Sequence, residues 1–387
     1  MSALQLITNS TNQSPRIGVA ASADRPAIVV NGRQMRDVAA DVLAALASTN
    51  NPPTLFVRDG KLCRVVDDGE GAVQVVDLNV YSLRQAAGDA ADFFRANGEP
   101  TALPIDYCRD ILIRSSSVHY FAPLQGLTTS PVVTRNGTIE AARGYLVESK
   151  LYFAPPEGDG FDYERVPPTW ENVERAKKEI FGFLLDGFPF CEDASRANIL
   201  AFALQPLVRP LISGPTPMYL IGASTRSTGK DLLAETCGSI TNPRGISARS
   251  APTDEAEWRK HITSALRKGN PHIWLNNLDG YLNSASLHGT LTSTSISDRL
   301  LGGSEDVTLS NVATWVATGN NVRLHDDLAT RCVYIKLDAL TERPELRDSF
   351  KCQYPVQEVE ERRSHYLGLL LCLIEYWINQ GMPKYSG

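Results

Sequence analysis

Between Tyr219 and Glu235 the chain reads "YLIGASTRSTGKDLLAE", a Ser/Thr/Gly loop closed by Gly-Lys. A loop of this kind grips phosphate: backbone amides and a helix N-terminus cradle the oxygens, and the lysine reaches the β- and γ-phosphates. The candidate nucleotide contacts are Ser224, Thr225, Ser227, Thr228, Gly229, Lys230, Asp231 and Leu232. Two positions depart from the usual pattern: Ser224 stands where the first glycine is expected, and Asp231 where a Mg²⁺-binding Ser/Thr is expected.

Further polar residues follow in order. "PHIWLNNLDG" is expected to form a short strand, His272 to Leu275, ending at Asn276-Asn277, where an acidic motif that holds the Mg²⁺ water shell would sit. "NVATWVATGNN" is expected to be another strand, ending at Asn320-Asn321. Polar residues at the carboxyl ends of strands are where ligands gather in doubly wound sheets. "DDLATRCVYIKLD" sets Arg331 just before a further strand, where it can reach a neighbouring subunit's γ-phosphate. Catalytic candidates are therefore Asn276, Asn277, Asn320 and Arg331. Asp231 and Asn276 are the candidate Mg²⁺ residues, acting through water, with ATP as the nucleotide. Across those two positions the formal charge stays at −1, as if a carboxylate and a neutral oxygen had changed places.

The elements that must position these residues show in the rhythm of the chain. "PMYLIG", the loop and "KDLLAETC" read as strand, loop and helix, and from about Pro215 short apolar strands alternate with helices. The expected class is α/β: a P-loop parallel sheet flanked by helices, preceded by a small α+β domain and a helical connector. Residues 26–165 carry short β-like runs with turns at Arg58-Asp59-Gly60 and Asp67-Asp68-Gly69, and a hairpin signal at Asn136-Gly137. "MRDVAADVLAALAS" puts Val38, Val42, Ala45 and Leu46 on one helical face. His119 reads as a structural or surface residue. The expected divisions are a flexible leader (1–25), the α+β domain (26–165), the connector (166–213), the P-loop domain (214–340) and a partial C-terminal helical segment (341–387).

Composition bounds the rest. The chain has 387 residues, 43% hydrophobic and 21% charged, as in ordinary globular proteins. No apolar run reaches the roughly 18 residues of a membrane span, and the N-terminus lacks the pattern of a secretory signal. The seven cysteines are scattered singly, which suits reduced thiols and a cytoplasmic setting. Lys plus Arg number 38 against 44 Asp plus Glu, a net charge of −6. That argues against coating nucleic acid by bulk charge, while leaving room for a locally basic channel.

"FPFCEDASRANILAFALQPLVRPLI", "STGKDLLAE", "EAEWRKHITSALRKG", "DRLLGGSE", "TWVATGNN" and "DLATRCVYIKLD" together resemble the AAA+ module of replicative helicases from phages and integrated mobile elements. These are related to superfamily 3 and are often encoded beside a primase-polymerase. Residues 36–165 resemble the domain preceding the motor in such proteins. The resemblance implies a hexameric ring that threads DNA and hydrolyses ATP between subunits, with Asn320 as the sensor for the attacking water and Arg331 as a trans-acting finger. It also implies a pore hairpin, here "DRLLGGSEDVTL", with Arg299 and Gly303 as the candidate DNA contacts. Arg259 and Lys260 of the preceding helix read as a solvated basic face. The alternative is a nucleotide-binding, poorly hydrolysing AAA+ scaffold or loader for a replication partner. A third reading is an unrelated α+β binding protein carrying the motifs by accident.

Overall fold

The computed structural model describes residues 6–7, 16–17, 25–67, 73–114, 120–155, 163–252, 254–299, 306–341, 343–348 and 350–384. His119, the Asp68-Gly69 turn, most of the 1–25 leader and the Gly302-Gly303-Ser304 tip lie outside them. The chain divides into two units, Met1–Val66 with Val75–Leu124, and Asp67–Gln74 with Gln125–Gly387.

In the first unit the amphipathic helix Met35–Thr49 buries Val38, Val42, Ala45 and Leu46, the face its periodicity predicts. It shares a core with helices Val80–Ala90 and Ile105–Arg114 and with strands Ala27–Val29 and Asp92–Phe94. Strands Leu55–Arg58 and Lys61–Asp67 pair through a tight turn in which Asp59 (φ 50) and Gly60 (φ 78) are both left-handed, the backbone a two-residue hairpin demands.

The second unit opens with small β pieces. Val132–Val133 pairs with Ile139–Glu140 around Gly137 (φ 78), so the Asn136-Gly137 hairpin forms. Two helices follow, α1 (Trp170–Glu179), running into a wider turn at Ile180–Leu184, and α2 (Asp193–Val208), within the stretch where the sequence suggests a connector. Then come strand β1 (Met218–Ala223), helix α3 (Lys230–Thr241), β2 (Ala248–Ser250), α4 (Glu255–Arg267), β3 (His272–Leu282) and α5 (Ala285–Leu291). A hairpin of β4 (Ser295–Arg299) and β5 (Asp306–Ser310) precedes β6 (Thr314–Leu324), the short helix α6 (Asp326–Ala329), β7 (Cys332–Leu337) and the long helix α7 (Pro355–Asn379).

Five strands form one wholly parallel sheet in the order β2-β3-β6-β1-β7. Parallel strands need crossover helices, and these cover both faces. On one face Tyr219, Ile221, Ala223, Trp274 and Val316 pack with Leu233, Ala234 and Cys237 of α3, and with α2 and α7. On the other, Met218, Leu220, Ile273, Leu275, Leu278, Trp315 and Ala317 pack with Trp258 and Ile262 of α4 and with α5. The chain is thus α/β, with a five-stranded parallel sheet flanked by helices. Among the described residues no helix is long and apolar enough to cross a membrane.

Two strands depart from expectation. β3 does not stop at Asn276-Asn277 but continues to Leu282, and β6 does not stop at Asn320-Asn321 but continues to Leu324. The β3–β6 register jumps between Leu275↔Ala317 and Leu278↔Gly319, and again between Asp279↔Asn320 and Tyr281↔Arg323. The first jump is an extra residue in β3 and the second an extra residue in β6, so the two bulges compensate. The second asparagine of each pair is left-handed, Asn277 at φ 57 and Asn321 at φ 49, a conformation asparagine tolerates better than most residues.

The ring nitrogens of His365 in α7 face the carboxylates of Glu164 and Glu179, tying α7 to the connector. The hydrogen bond from His365 holds the Glu164 carboxyl below its ordinary value of 4.5, with Arg175 and Arg362 adding to the effect. A depressed carboxylate contributes stability that is present above about pH 4.5 and lost as pH falls through its folded value. Thermal melts of wild type and His365→Gln should therefore show a Tm gap that is full near neutrality and shrinks below about pH 4.5. A gap that is constant down to pH ~3 would remove this linkage.

Candidate functional site

β1 is fully buried and interior to the sheet, with β6 and β7 hydrogen-bonded on either side. The chain leaves its carboxyl end for β2, β3 and β6 on one side and reaches β7 on the other only later. A crevice outside the carboxyl end of such a strand is where doubly wound sheets bind ligands. The loop Ser224–Gly229 occupies that position. Ser227 (φ 57) and Gly229 (φ 88) are left-handed, and Gly229 forms the N-cap of α3 with no side-chain cap. A Cβ at Gly229 would meet the Phe188 ring at 3.3 Å, so the connector packs directly against the turn into the helix.

The first turn of α3 leaves N–H groups of Lys230, Asp231 and Leu232 without intrahelical acceptors, and the helix dipole adds partial positive charge there. Lys230 is only 7% exposed, and its Nζ stands 3.6 Å from Asp231 Oδ2. A buried ammonium is expensive unless it is paired. Phosphate oxygens in this loop would complete the pairing. Thr228 is buried and its hydroxyl donates to the Thr225 carbonyl at 3.5 Å, so it holds the loop's shape. Leu232 is 41% exposed, which leaves its backbone N–H as the group it can offer.

Among the described residues, four buried side-chain oxygens at this end of the sheet have no hydrogen-bond partner: Thr225 Oγ1, Asp231 Oδ1, Asn276 Oδ1 and Asn320 Oδ1. Buried polar atoms are normally satisfied, so such a cluster marks a place for a ligand. All four are oxygens, the donor type that suits Mg²⁺. Among the described residues no group of three or more His, Cys, Asp or Glu side chains could hold a metal. A cation here would rely on amide, hydroxyl and nucleotide oxygens beside the carboxylate. Asn320 pairs with Ala223, the last residue of β1, so it is level with the start of the loop. Asn321, which the sequence presents only as the end of a strand, donates from Nδ2 to the Ser224 carbonyl at 3.3 Å and anchors the loop. Asn277 is exposed and serves as the bulge residue.

Other expected site residues lie apart. Arg331 is exposed, and its carbonyl accepts from Met218 N at 3.0 Å, at the amino end of β1. The six residues of β1 separate it from the loop of its own chain by roughly 20 Å. Arg299 pairs in register with Asp306 in the β4–β5 hairpin, whose tip, with Gly303, lies outside the described residues. Arg259 pairs with Asp298 of that hairpin, and Thr263 donates to the same carboxylate at 3.0 Å. Lys260 pairs with Glu257.

The far end of α3 is fixed. The Thr241 carbonyl accepts from Thr129 Oγ1 at 2.9 Å, and the Thr241 hydroxyl lies 3.4 Å from His272 Nε2. Burial lowers the His272 pKa to about 4, so its ring is neutral. Burial also raises the Cys237 thiol in the middle of α3 to about 12, and all seven cysteines are free.

No family model matches the chain, and no curated protein matches it. Among solved structures it is similar to a JCV helicase (14% identity, TM-score 0.28, covering 53% of this chain and 62% of that one). It is also similar to an SCCmec type IV Cch described as an active helicase (14% identity, TM-score 0.35, covering 83% of this chain and 59% of that one). The chain spans about three fifths of the length of these proteins.

Gly319 lies where the two bulged strands come closest: a Cβ there would be 2.4 Å from the Leu278 carbonyl oxygen and 2.4 Å from Val322 Cγ2. Since a backbone atom cannot yield as a flexible side chain can, Gly319→Ala should destabilise the fold by about 1–3 kcal/mol. Chemical denaturation gives the value. A change within the error of the measurement would mean that the strands do not approach this closely.

Proposed function

We propose that this chain is an ATP-dependent motor acting on DNA, of the AAA+ superfamily 3-like kind, in the replication of a phage or mobile element. The observation that carries the reading is the buried Lys230 behind a left-handed Gly229, at the uncapped N-terminus of α3 and the carboxyl end of a buried interior parallel strand. That arrangement offers a triphosphate backbone N–H donors, a helix dipole and one fixed cation.

In this reading the loop holds ATP, and Lys230 neutralises charge on its terminal phosphates. Asn320 orients the attacking water. Bound Mg²⁺ would offset charge on the phosphate oxygens, with Asp231 and Asn276 holding it through water. Asp231 then supplies the carboxylate and Asn276 the neutral oxygen. Arg331 sits too far from its own loop to touch the nucleotide there, so it acts on the site of a second copy. This makes the working form a homo-oligomer, a hexameric ring around single-stranded or forked DNA, with Arg299 and Gly303 of the hairpin at the pore. A primase-polymerase is the natural partner. Asn276 itself favours a second reading, a nucleotide-binding scaffold or loader with weak hydrolysis, because the acidic position of β3 lacks its carboxylate.

ATP hydrolysis measured with and without single-stranded DNA separates the two. Stimulation by DNA is expected of the motor, and ATP binding without turnover would favour the scaffold. Lys230→Ala should weaken ATP binding about tenfold or more, roughly 1.4 kcal/mol, and unchanged affinity would sink the nucleotide site altogether.

The exchange of Asp231 and Asn276 has its own test in a double-mutant cycle. Asp231→Ser alone should nearly abolish Mg²⁺-dependent ATP binding, and adding Asn276→Asp should restore much of it, a coupling of about 0.5–3 kcal/mol. If Asp231→Ser alone equals or exceeds wild type, the site has decayed and no exchange took place.

A further inference from the structure

The sequence of β3 contains a carboxylate that simple alternation would send to the wrong side of the sheet. Ile273 and Leu275 pack on the α4 side, and Trp274 on the α3 side. Strict alternation then puts Asn276 and residue 278 toward α3, and residues 277 and 279 toward α4. The bulge inserts one residue after Asn276 and shifts the pattern. Leu278 packs on the α4 side with Leu275, and Asp279 therefore turns to the α3 side.

The register places it further. Asp279 pairs with Asn320, and Asn320 pairs with Ala223 immediately before the loop. Three side chains thus stand level across neighbouring strands at the carboxyl end of the sheet, on the face from which α3 presents Lys230 and Asp231. Adjacent strands are about 4.8 Å apart, so Asp279 stands beside Asn320 and roughly 10 Å from the β1 backbone. Asn276, by contrast, follows Leu275, which is level with Ala317 and Leu220, and so lies further back along β1. Asp279 is exposed and stands at the height where the loop begins.

We propose that Asp279 is the second carboxylate of the nucleotide site, turned toward it by the bulge and holding a divalent cation together with Asp231 and the unpartnered oxygens of Asn276 and Asn320. The proposal rests on the nucleotide-site reading above. Two carboxylates plus neutral oxygens and water form a donor set that satisfies Mg²⁺. The carboxylate missing from position 276 is then present three residues later on the same face.

The test uses the full chain, with Mn²⁺ as the probe and its free concentration read by electron paramagnetic resonance in the presence of a non-hydrolysable ATP analogue. Asp279→Asn should raise the Kd for Mn²⁺ about tenfold or more, while nucleotide binding in EDTA stays unchanged. Asp106→Asn, a substitution in the first unit, should leave both unchanged. Adding Asn276→Asp to Asp279→Asn should recover Mn²⁺ affinity; failure to recover would place the Asp279 effect outside the cation site and overturn the proposal. Unchanged Mn²⁺ affinity in Asp279→Asn, with nucleotide still bound, would also overturn it. Absence of nucleotide binding by wild type would instead remove the underlying site.

Discussion

The close approach of β3 and β6 at Gly319 is the constraint on which the rest of the site depends. A single bulge in one of two paired parallel strands would leave every later residue out of step with its neighbour. Here each strand takes one extra residue, first at Asn277 and then at Asn321, and the ladder returns to register at Tyr281 and Arg323. Only a residue without a Cβ fits between the two offsets. What the double offset achieves is local: within a few residues it turns polar side chains toward the end of α3, and it gives Asn321 the reach to hold the Ser224 carbonyl.

Much of this was legible in the sequence, because the relevant signals are periodic or chemically specific. The face of the Met35–Thr49 helix, the turns at Asp59-Gly60 and Asn136-Gly137, and the strand, loop and helix around Lys230 all follow from spacing and from residues that accept left-handed backbone. The bulges were not legible. Asn-Asn after an apolar run looks the same whether the chain turns away or takes one left-handed residue and goes on. Asp279 was hidden for the same reason, since period-2 counting from Leu275 assigns it to the opposite face. The position of Arg331 before a strand was plain, but that this is the far end of the sheet from the loop depends on strand order and parallel direction, which no local pattern encodes.

The electrostatics of the site run against those of the whole. The chain carries a net charge of −6, yet the crevice combines a buried ammonium, free N–H groups and a helix dipole, all favouring negative charge. A surplus of carboxylates elsewhere does little to cancel this, because exposed charges more than about 10 Å away are largely screened at ordinary salt. Local geometry, and not net charge, decides what binds there.

Helix α3 joins this crevice to the opposite end of the sheet, where Thr241 lies beside His272 at the start of β3. Its carboxyl end is held by hydrogen bonds at Thr241, while its amino end carries the loop. Twelve residues span about 18 Å. The helix is therefore a lever with its fulcrum at Thr241: a tilt of only about 3° swings the Lys230 end by roughly 1 Å. Displacements of that size change reaction rates by about two orders of magnitude when they fall on positioning groups. Packing at Thr129 and His272, at the far end of the helix, thereby becomes a mechanical setting for the position of Lys230 and the loop.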